Sequence, residues 1–238
     1  MEYFLSVLKD LKSNNYNGRF SFSGFCEPLL TKDLYKYIKN IKLILGNVEI
    51  EIVTNGDPLK KNGEIKLKQL FDNGLTNIRI SLYDNENQIK YFNSIKKSLM
   101  LNDEQFILRK RYLGPEKSYG MTISNRAGSV EIKNDFFELK KLPEPLKESC
   151  YYPMYKVLID YNGDVLMCSN DWKKQQIMGN VKNSTISNIW NSEKFIEMRK
   201  KLIKKDRNHP ACNVCDVNGR LNGEAPFKSW VKYFKNSK

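Results

Sequence analysis

Four of the five cysteines in this chain fall within its last 90 residues, at positions 150, 168, 212 and 215, and the last two are separated by only two residues. Two residues between thiols let one tight turn bring both sulfurs to a single inorganic centre, with backbone N–H groups aimed at them. Cys150 and Cys168 bracket a segment that reads as a β-hairpin with Asn162-Gly163 at its turn, so both are expected at one end of that hairpin. Four soft thiolates suit either zinc or an iron–sulfur cluster, and spacing alone does not separate the two. The cysteine count is odd, and the opening residues Met1 to Asp10 lack the basic start and small-residue cleavage site of an export signal. A reducing, cytoplasmic setting is therefore expected, in which clustered cysteines mean metal or redox chemistry rather than disulfides. Cys26 stands apart and reads as a small buried thiol. His209, beside Pro210, is left out of the ligand set because four thiolates already suffice.

The remainder of the composition narrows the class. With 40% hydrophobic and 12% aromatic residues in 238, the chain can build a core, which excludes general disorder and allows one or two domains. No apolar run approaches the roughly 18 residues of a spanning helix, so no membrane partner is expected. The formal charge of +13 invites a nucleic-acid reading, but only eight of the 40 basic residues are Arg and the Lys residues are spread along the chain. Clusters such as Lys200-Lys201-Leu202-Ile203-Lys204-Lys205 fit the solvated side of an amphipathic helix, and no specific nucleic-acid partner is expected.

Residues 1–111 read as alternating helices and strands. Apolar periodicity predicts helices over 2–12, 31–45, 64–73 and 86–99, and strands over 19–23, 48–53, 77–82 and 105–111. Such alternation with short connectors implies parallel strands. The strands end in polar or Gly-containing turns: Ser23-Gly24, Thr54-Asn55-Gly56, and Ser81 near Tyr83-Asp84. Ligands bind at the carboxyl ends of parallel strands, which places the expected site there. Residues 112–149, punctuated by Gly114-Pro115, Gly120, Gly128, Pro143 and Pro145, read as a long linker or loop. From Cys150 to residue 238 a second, smaller domain is expected: the hairpin at about 155–168, a helix near 192–205, the cysteine knuckle and a final helix near 226–235. Trp190 is expected in its core beside Ile186 and Ile189.

Context around the cysteines adds a resemblance. Cys150, Gly163 and Cys168, with Pro153, Val157-Leu158-Ile159-Asp160, Asn162-Gly163-Asp164-Val165, Met178-Gly179-Asn180-Val181 and Ile186-Ser187-Asn188-Ile189-Trp190, resemble the SPASM/twitch domain. That is the auxiliary-cluster module of radical S-adenosylmethionine (SAM) enzymes. No cysteine follows Cys215, so the chain resembles the shorter twitch type. This implies one [4Fe–4S] cluster on Cys150, Cys168, Cys212 and Cys215. Phe22-Ser23-Gly24-Phe25-Cys26-Glu27-Pro28 is similar to the family's Gly-Gly-Glu-Pro segment, with Cys26 where glycine is usual. Glu27 is the matching carboxylate for SAM's amino group, and Gly24, Thr54, Asn55 and Ser81 match cofactor-binding positions at strand ends. Arg109 or Arg111 is a candidate anchor for a carboxylate, and the Ser124-Asn125-Arg126-Ala127-Gly128 loop is similar to a segment that precedes the auxiliary domain in some of these enzymes.

The fold class expected is thus α/β: an incomplete, partial TIM-like βα barrel followed by a small α+β SPASM/twitch-like iron–sulfur domain. The family's Cys-x3-Cys-x2-Cys loop has no counterpart, since no cysteine precedes Cys26. The resemblance then implies that SAM is a cofactor only with a complementing N-terminal part, and that this chain by itself makes no deoxyadenosyl radical. The strand at 19–23 is expected at an open sheet edge. The implied activity is oxidation of a small molecule or sugar, or peptide maturation, with a complementing polypeptide or a reductant as partner; no catalytic residue is assigned. A non-catalytic iron–sulfur electron-transfer protein and a zinc-stabilised binding module are the alternatives.

Overall fold

The computed structural model describes residues 1–84, 86–111, 125–130 and 147–236. The chain divides into two compact units, Met1–Gly120 and Met121–Lys238.

In the first unit, helices α1 (Glu2–Ser13), α2 (Leu34–Leu45), α3 (Gly63–Asp72) and α4 (Glu86–Ser98) alternate with strands β1 (Phe20–Phe22), β2 (Ile50–Thr54), β3 (Asn77–Leu82) and β4 (Phe106–Lys110). The strands form one all-parallel sheet in the order β1-β2-β3-β4. Period-2 alternation decides the two faces. Ile50, Ile52, Ile78, Ile80 and Leu82 are fully buried and pack with Leu8, Ile38, Ile41, Leu67 and Phe92 from the helices. The intervening residues, Glu49, Glu51, Asn77, Arg79 and Ser81, point to the other face. There they pair across strands: Arg19 with Glu49 and Glu51, Arg79 with Glu51, and Asn77 with Glu49. Among the described residues β1 lies at the sheet edge, where the sequence placed it.

The observed helices depart from periodicity in one place. The helix expected from residue 31 begins at Leu34, because Asp33 takes a left-handed conformation (φ 57°) and a short 3-10 turn occupies Pro28–Leu30. Pro28 at the start of that turn and the carboxylate of Glu27, which accepts from the Leu29 N–H, fix the turn ahead of the helix.

The second unit holds a three-stranded antiparallel sheet, with β5 (Leu158–Ile159), β6 (Asp164–Leu166) and β7 (Ile177–Asn180) in that order. The hairpin expected at 155–168 is β5–β6. Strand β7 was not foreseen. Around the sheet lie α5 (Tyr152–Tyr155), α6 (Ile186–Trp190), α7 (Glu193–Ile203) and α8 (Glu224–Asn236). Thr185 and Ser192 cap α6 and α7 by accepting from Asn188 and Phe195 N–H. Most of the expected linker, 112–124 and 131–146, lies outside the described residues.

A buried guanidinium joins these helices. Arg199 on α7 has no exposed surface, and its side chain lies 4.0 Å from the Trp190 ring centre, 4.6 Å from Phe195 and 4.2 Å from Trp230. Its Nε donates to Pro153 O at 2.9 Å and Nη1 to Trp190 O at 2.7 Å. One residue therefore ties α5, α6, α7 and α8, and burial lowers its pKa to about 10. Trp190, expected as core, is part of this stack. Arg199→Ala leaves two carbonyls unpaired and empties the stack, so it is expected to lower stability by about 2–4 kcal/mol. Arg199→Met, which refills the space, is expected to lose less. Urea unfolding followed by the fluorescence of Trp190 and Trp230 checks both.

Candidate functional site

At the carboxyl ends of β1 and β2 the structure brings together Glu27, Thr54 and Asn55. The Thr54 hydroxyl donates to Glu27 Oε1 at 2.6 Å, Leu29 N–H donates to the same oxygen at 3.1 Å, and Asn55 N–H donates to Oε2 at 2.9 Å. Thr54 Oγ1 in turn accepts from Gly56 N–H at 3.0 Å. A carboxylate offers about four acceptor positions, so three are engaged by the protein and one remains. Gly24, in the turn that leads to Glu27, has φ +106°, a conformation that favours glycine. Ser81 is buried at the end of β3, in register with Arg109 on β4. Burial first, then the charges of Arg79 and Arg111, lower the pKa of Arg109. Arg109 and Arg111 fall on the same face of β4 by alternation. Cys26, expected as a buried thiol, is exposed: the turn holds it outside the core.

A cavity of about 450 Å³ opens at the opposite, amino ends of β2 to β4, lined among others by Glu49, Asn77, Arg79 and Gln105. It is at the wrong end of the strands for the ligand rule of parallel sheets, and the pairing of its charged walls accounts for them structurally.

In the second unit the four late cysteines share one neighbourhood. Burial pushes the Cys150 thiol up to about 12, and the nearby Cys168 and Cys215 thiols add to the shift. Cys212 moves the same way, by burial first and then by Cys150, Cys168 and Cys215. Burial also raises Cys168 and Cys215, the latter with a contribution from Cys168. N–H groups are aimed at two of the sulfurs. Asn170 N and Nδ2 reach Cys168 Sγ at 3.4 and 3.6 Å, and Val217 N reaches Cys215 Sγ at 3.4 Å. Behind Cys150, a Cβ on Gly219 would sit 2.1 Å from the sulfur, so only glycine fits there. Arg207 is buried and fixed by Nε donation to Glu148 O at 2.8 Å. Its Nη2 is buried with no hydrogen-bond partner, and its charge acts on Cys150, Cys212 and Cys215.

Among the described residues no group of three or more His, Cys, Asp or Glu is placed to hold a single metal ion. A tetrahedral zinc with bonds of about 2.3 Å would draw its sulfurs to about 3.8 Å from one another. A cluster interposes iron and sulfide, so it holds its cysteines farther apart. Four thiols in mutual electrostatic reach, two on buried and two on half-buried cysteines, with N–H donors on two of the sulfurs and a buried guanidinium nitrogen without a partner, fit such a cluster better than one ion. His209 stays outside: its Nδ1 meets Pro210 O at 3.1 Å and burial lowers its pKa.

Sequence reasoning missed Asp216, Asn170 and Arg207. Asp216 is fully buried, and both its oxygens accept from Asn125 N–H at 2.9 Å. The partners of Asp216 and Arg207 lie tens of residues away, as does the Arg126 that meets Asn170, and no local pattern announces them.

The comparisons with known proteins agree with this geometry. Residues 150–216 match the SPASM family, described as an iron–sulfur cluster-binding domain. Over 216 residues, 90% of this chain and 78% of the relative, the chain is 26% identical to the S-adenosyl-L-methionine-dependent 2-deoxy-scyllo-inosamine dehydrogenase of Niallia circulans. Over residues 150–216 the chain carries a SPASM domain, and over most of its length it is similar to a SAM-dependent dehydrogenase. A shorter likeness, 45% identity over 56 residues, links it to the GTP 3',8-cyclase of Staphylococcus epidermidis, covering 24% of this chain and 15% of that enzyme. In fold it is similar to BtrN in complex with AdoMet and 2-DOIA (TM-score 0.75, 23% identity, 94% of this chain and 82% of that one). It is also similar to BtrN in an open conformation (TM-score 0.66, 21% identity, 95% and 83%). The partial parallel barrel followed by a small antiparallel SPASM domain is the shared architecture. No helix among the described residues is long and apolar enough to cross a membrane.

The Glu27 cluster of bonds gives a stability expectation independent of any ligand. Glu27→Ala unpairs Thr54 and the Leu29 and Asn55 amides, and is expected to cost roughly 2–3 kcal/mol. Thermal unfolding of the variant checks it.

Proposed function

We propose that this chain is a SAM-dependent dehydrogenase of an aminocyclitol or a closely similar amino sugar, with Cys150, Cys168, Cys212 and Cys215 as the ligands of one auxiliary [4Fe–4S] cluster. The observation that carries the proposal is the convergence of those four thiols in the SPASM domain of a chain that aligns over 90% of its own length, and 78% of the relative's, with a dehydrogenase of 2-deoxy-scyllo-inosamine. When bound, the cluster supplies a one-electron redox centre beside the substrate.

The residues divide the remaining work. Glu27 keeps one free acceptor position for a ligand ammonium, while Thr54 and Asn55 lock its carboxylate in place. Gly24 lets the chain turn tightly there, and Ser81 is a neighbouring polar contact at the end of β3. On β4, Arg109 or Arg111 anchors a carboxylate. Val217 and Asn170 stabilise thiolate charge through their N–H groups, and Arg207 offers Nη2 to a sulfur acceptor. Neither the fold nor the relatives test the expectation that this chain cannot cleave SAM by itself.

Anaerobic reconstitution with iron and sulfide is expected to give a brown protein with about four irons per chain, as four-cysteine [4Fe–4S] sites hold. Cys212→Ala and Cys168→Ala are expected to lose most of that iron and to destabilise the second unit, since metal binding there is folding energy. A colourless protein with one zinc would overturn the cluster assignment. The loaded protein, given SAM, a reductant, 2-deoxy-scyllo-inosamine and a complementing segment that carries a Cys-x3-Cys-x2-Cys loop, is expected to form 5′-deoxyadenosine and a ketone product. Formation of neither sinks the dehydrogenase reading while leaving the cluster standing.

A further inference from the structure

The loop Asn125–Val130 is held with unusual force. Arg126, Ala127 and Gly128 are left-handed in succession (φ 48°, 53° and 75°). That run costs energy for the two non-glycine residues and persists only where the surroundings fix it. They do so from two sides. From the cysteine knuckle, Asp216 accepts the Asn125 N–H on both oxygens, Val214 O accepts Asn125 Nδ2 at 2.6 Å, and a Cβ on Gly128 would lie 2.8 Å from the Val214 side chain. From the segment after Cys168, Lys173 Nζ donates to Gly128 O at 2.8 Å.

The product of that clamp is the position of Arg126. Its Nη1 donates to Asn170 Oδ1 at 2.7 Å, and its guanidinium lies 5.2 Å from the Trp172 ring centre. A guanidinium only donates, so the amide atom facing it is the oxygen. The orientation of Asn170 is thereby fixed, and its Nδ2 is the atom that reaches Cys168 Sγ at 3.6 Å, beside the backbone N–H at 3.4 Å.

Resting on the reading of Cys168 as a cluster ligand, we propose that Arg126 and Asn170 form a relay that raises the reduction potential of the auxiliary cluster: Arg126 orients and polarises the Asn170 amide, and the amide donates to the ligand sulfur. Reduction adds negative charge to the cluster and its thiolates. N–H donors and a nearby cation stabilise the reduced form more than the oxidised one. A chain of two hydrogen bonds ending in a cation strengthens both. Arg126 acts through Asn170 and is a positioning residue in this relay.

The test is a dye-mediated dithionite titration of the reconstituted full-length protein, read by electron paramagnetic resonance and visible absorbance, with iron measured on each sample. Iron in the wild-type protein is read first; its absence defeats the cluster assignment itself, before the relay is addressed. Asn170→Ala and Arg126→Gln are each expected to keep iron and to shift the midpoint to more negative potential. Arg126→Lys, which keeps the charge without the planar fork, is expected to fall between Gln and wild type. The double variant Arg126→Gln/Asn170→Ala is expected to shift by less than the sum of the two single shifts, since the part of the Arg126 effect that passes through the amide is already lost with Asn170. Should Asn170→Ala fail to hold iron, Arg126→Gln decides, because every cysteine and Asn170 remain. Unchanged midpoints, additive shifts in the double variant, or loss of iron from Arg126→Gln would each overturn the relay, the last by making the loop a structural clamp only.

Discussion

Four thiols within electrostatic reach of one another, two on buried and two on half-buried cysteines, are the constraint to which the second unit is built. Each one, ionised alone, is opposed by burial and by its neighbours, so the protein can hold four thiolates there only if something positive joins them. The polar atoms around the site lean in that direction. Asn170 and Val217 point N–H groups at sulfur, and Arg207 is carried into the interior with one nitrogen unmatched. A buried guanidinium nitrogen without an acceptor costs free energy that a structure rarely retains without a use. An inorganic centre that brings sulfide acceptors and positive iron answers both deficits at once.

The rest of the unit keeps those groups from moving apart. The cysteines come from the start of α5, the end of β6 and the knuckle beyond α7, so the site depends on how those elements are joined. Arg199 joins three of the surrounding helices to α5 through two carbonyls and three aromatic rings. Asp216, directly after Cys215, joins the knuckle to the loop at Asn125. Both are buried charges: Asp216 is matched on both oxygens and Arg199 on Nε and Nη1, with its Nη2 left without a hydrogen-bond partner among the described residues.

How much of this was legible follows from the range of each interaction. The parallel sheet was readable because Ile50, Ile52, Ile78, Ile80 and Leu82 alternate with polar residues and the helical stripes between them are local patterns. The start of α2 was not, since Asp33 and the 3-10 turn at Pro28–Leu30 respond to Glu27, whose carboxylate serves Thr54 and Asn55 on another strand. Strand β7 hid because Ile177-Met178-Gly179-Asn180 lacks alternation: Gly179 is there so that Ile189 can lie against the backbone, where a Cβ would approach it at 2.8 Å. Cysteine spacing singled out the four late thiols, whereas Arg207 and Asp216, and the bond between Asn170 and Arg126, depend on partners 44 to 91 residues away.

The polar face of the sheet shows the same economy of charge, with a different remainder. Glu51 answers Arg19 and Arg79, and Glu49 answers Arg19. Arg109 lies farther along the strands toward their carboxyl ends, where Arg79 and Arg111 repel it and Glu51 offsets them in part. Guanidiniums do not relieve such crowding by losing a proton, because they remain charged at any physiological pH. The carboxyl ends of parallel strands are where ligands bind, and Glu27 after β1 and Arg109 on β4 place an acidic and a basic group on that side of the sheet.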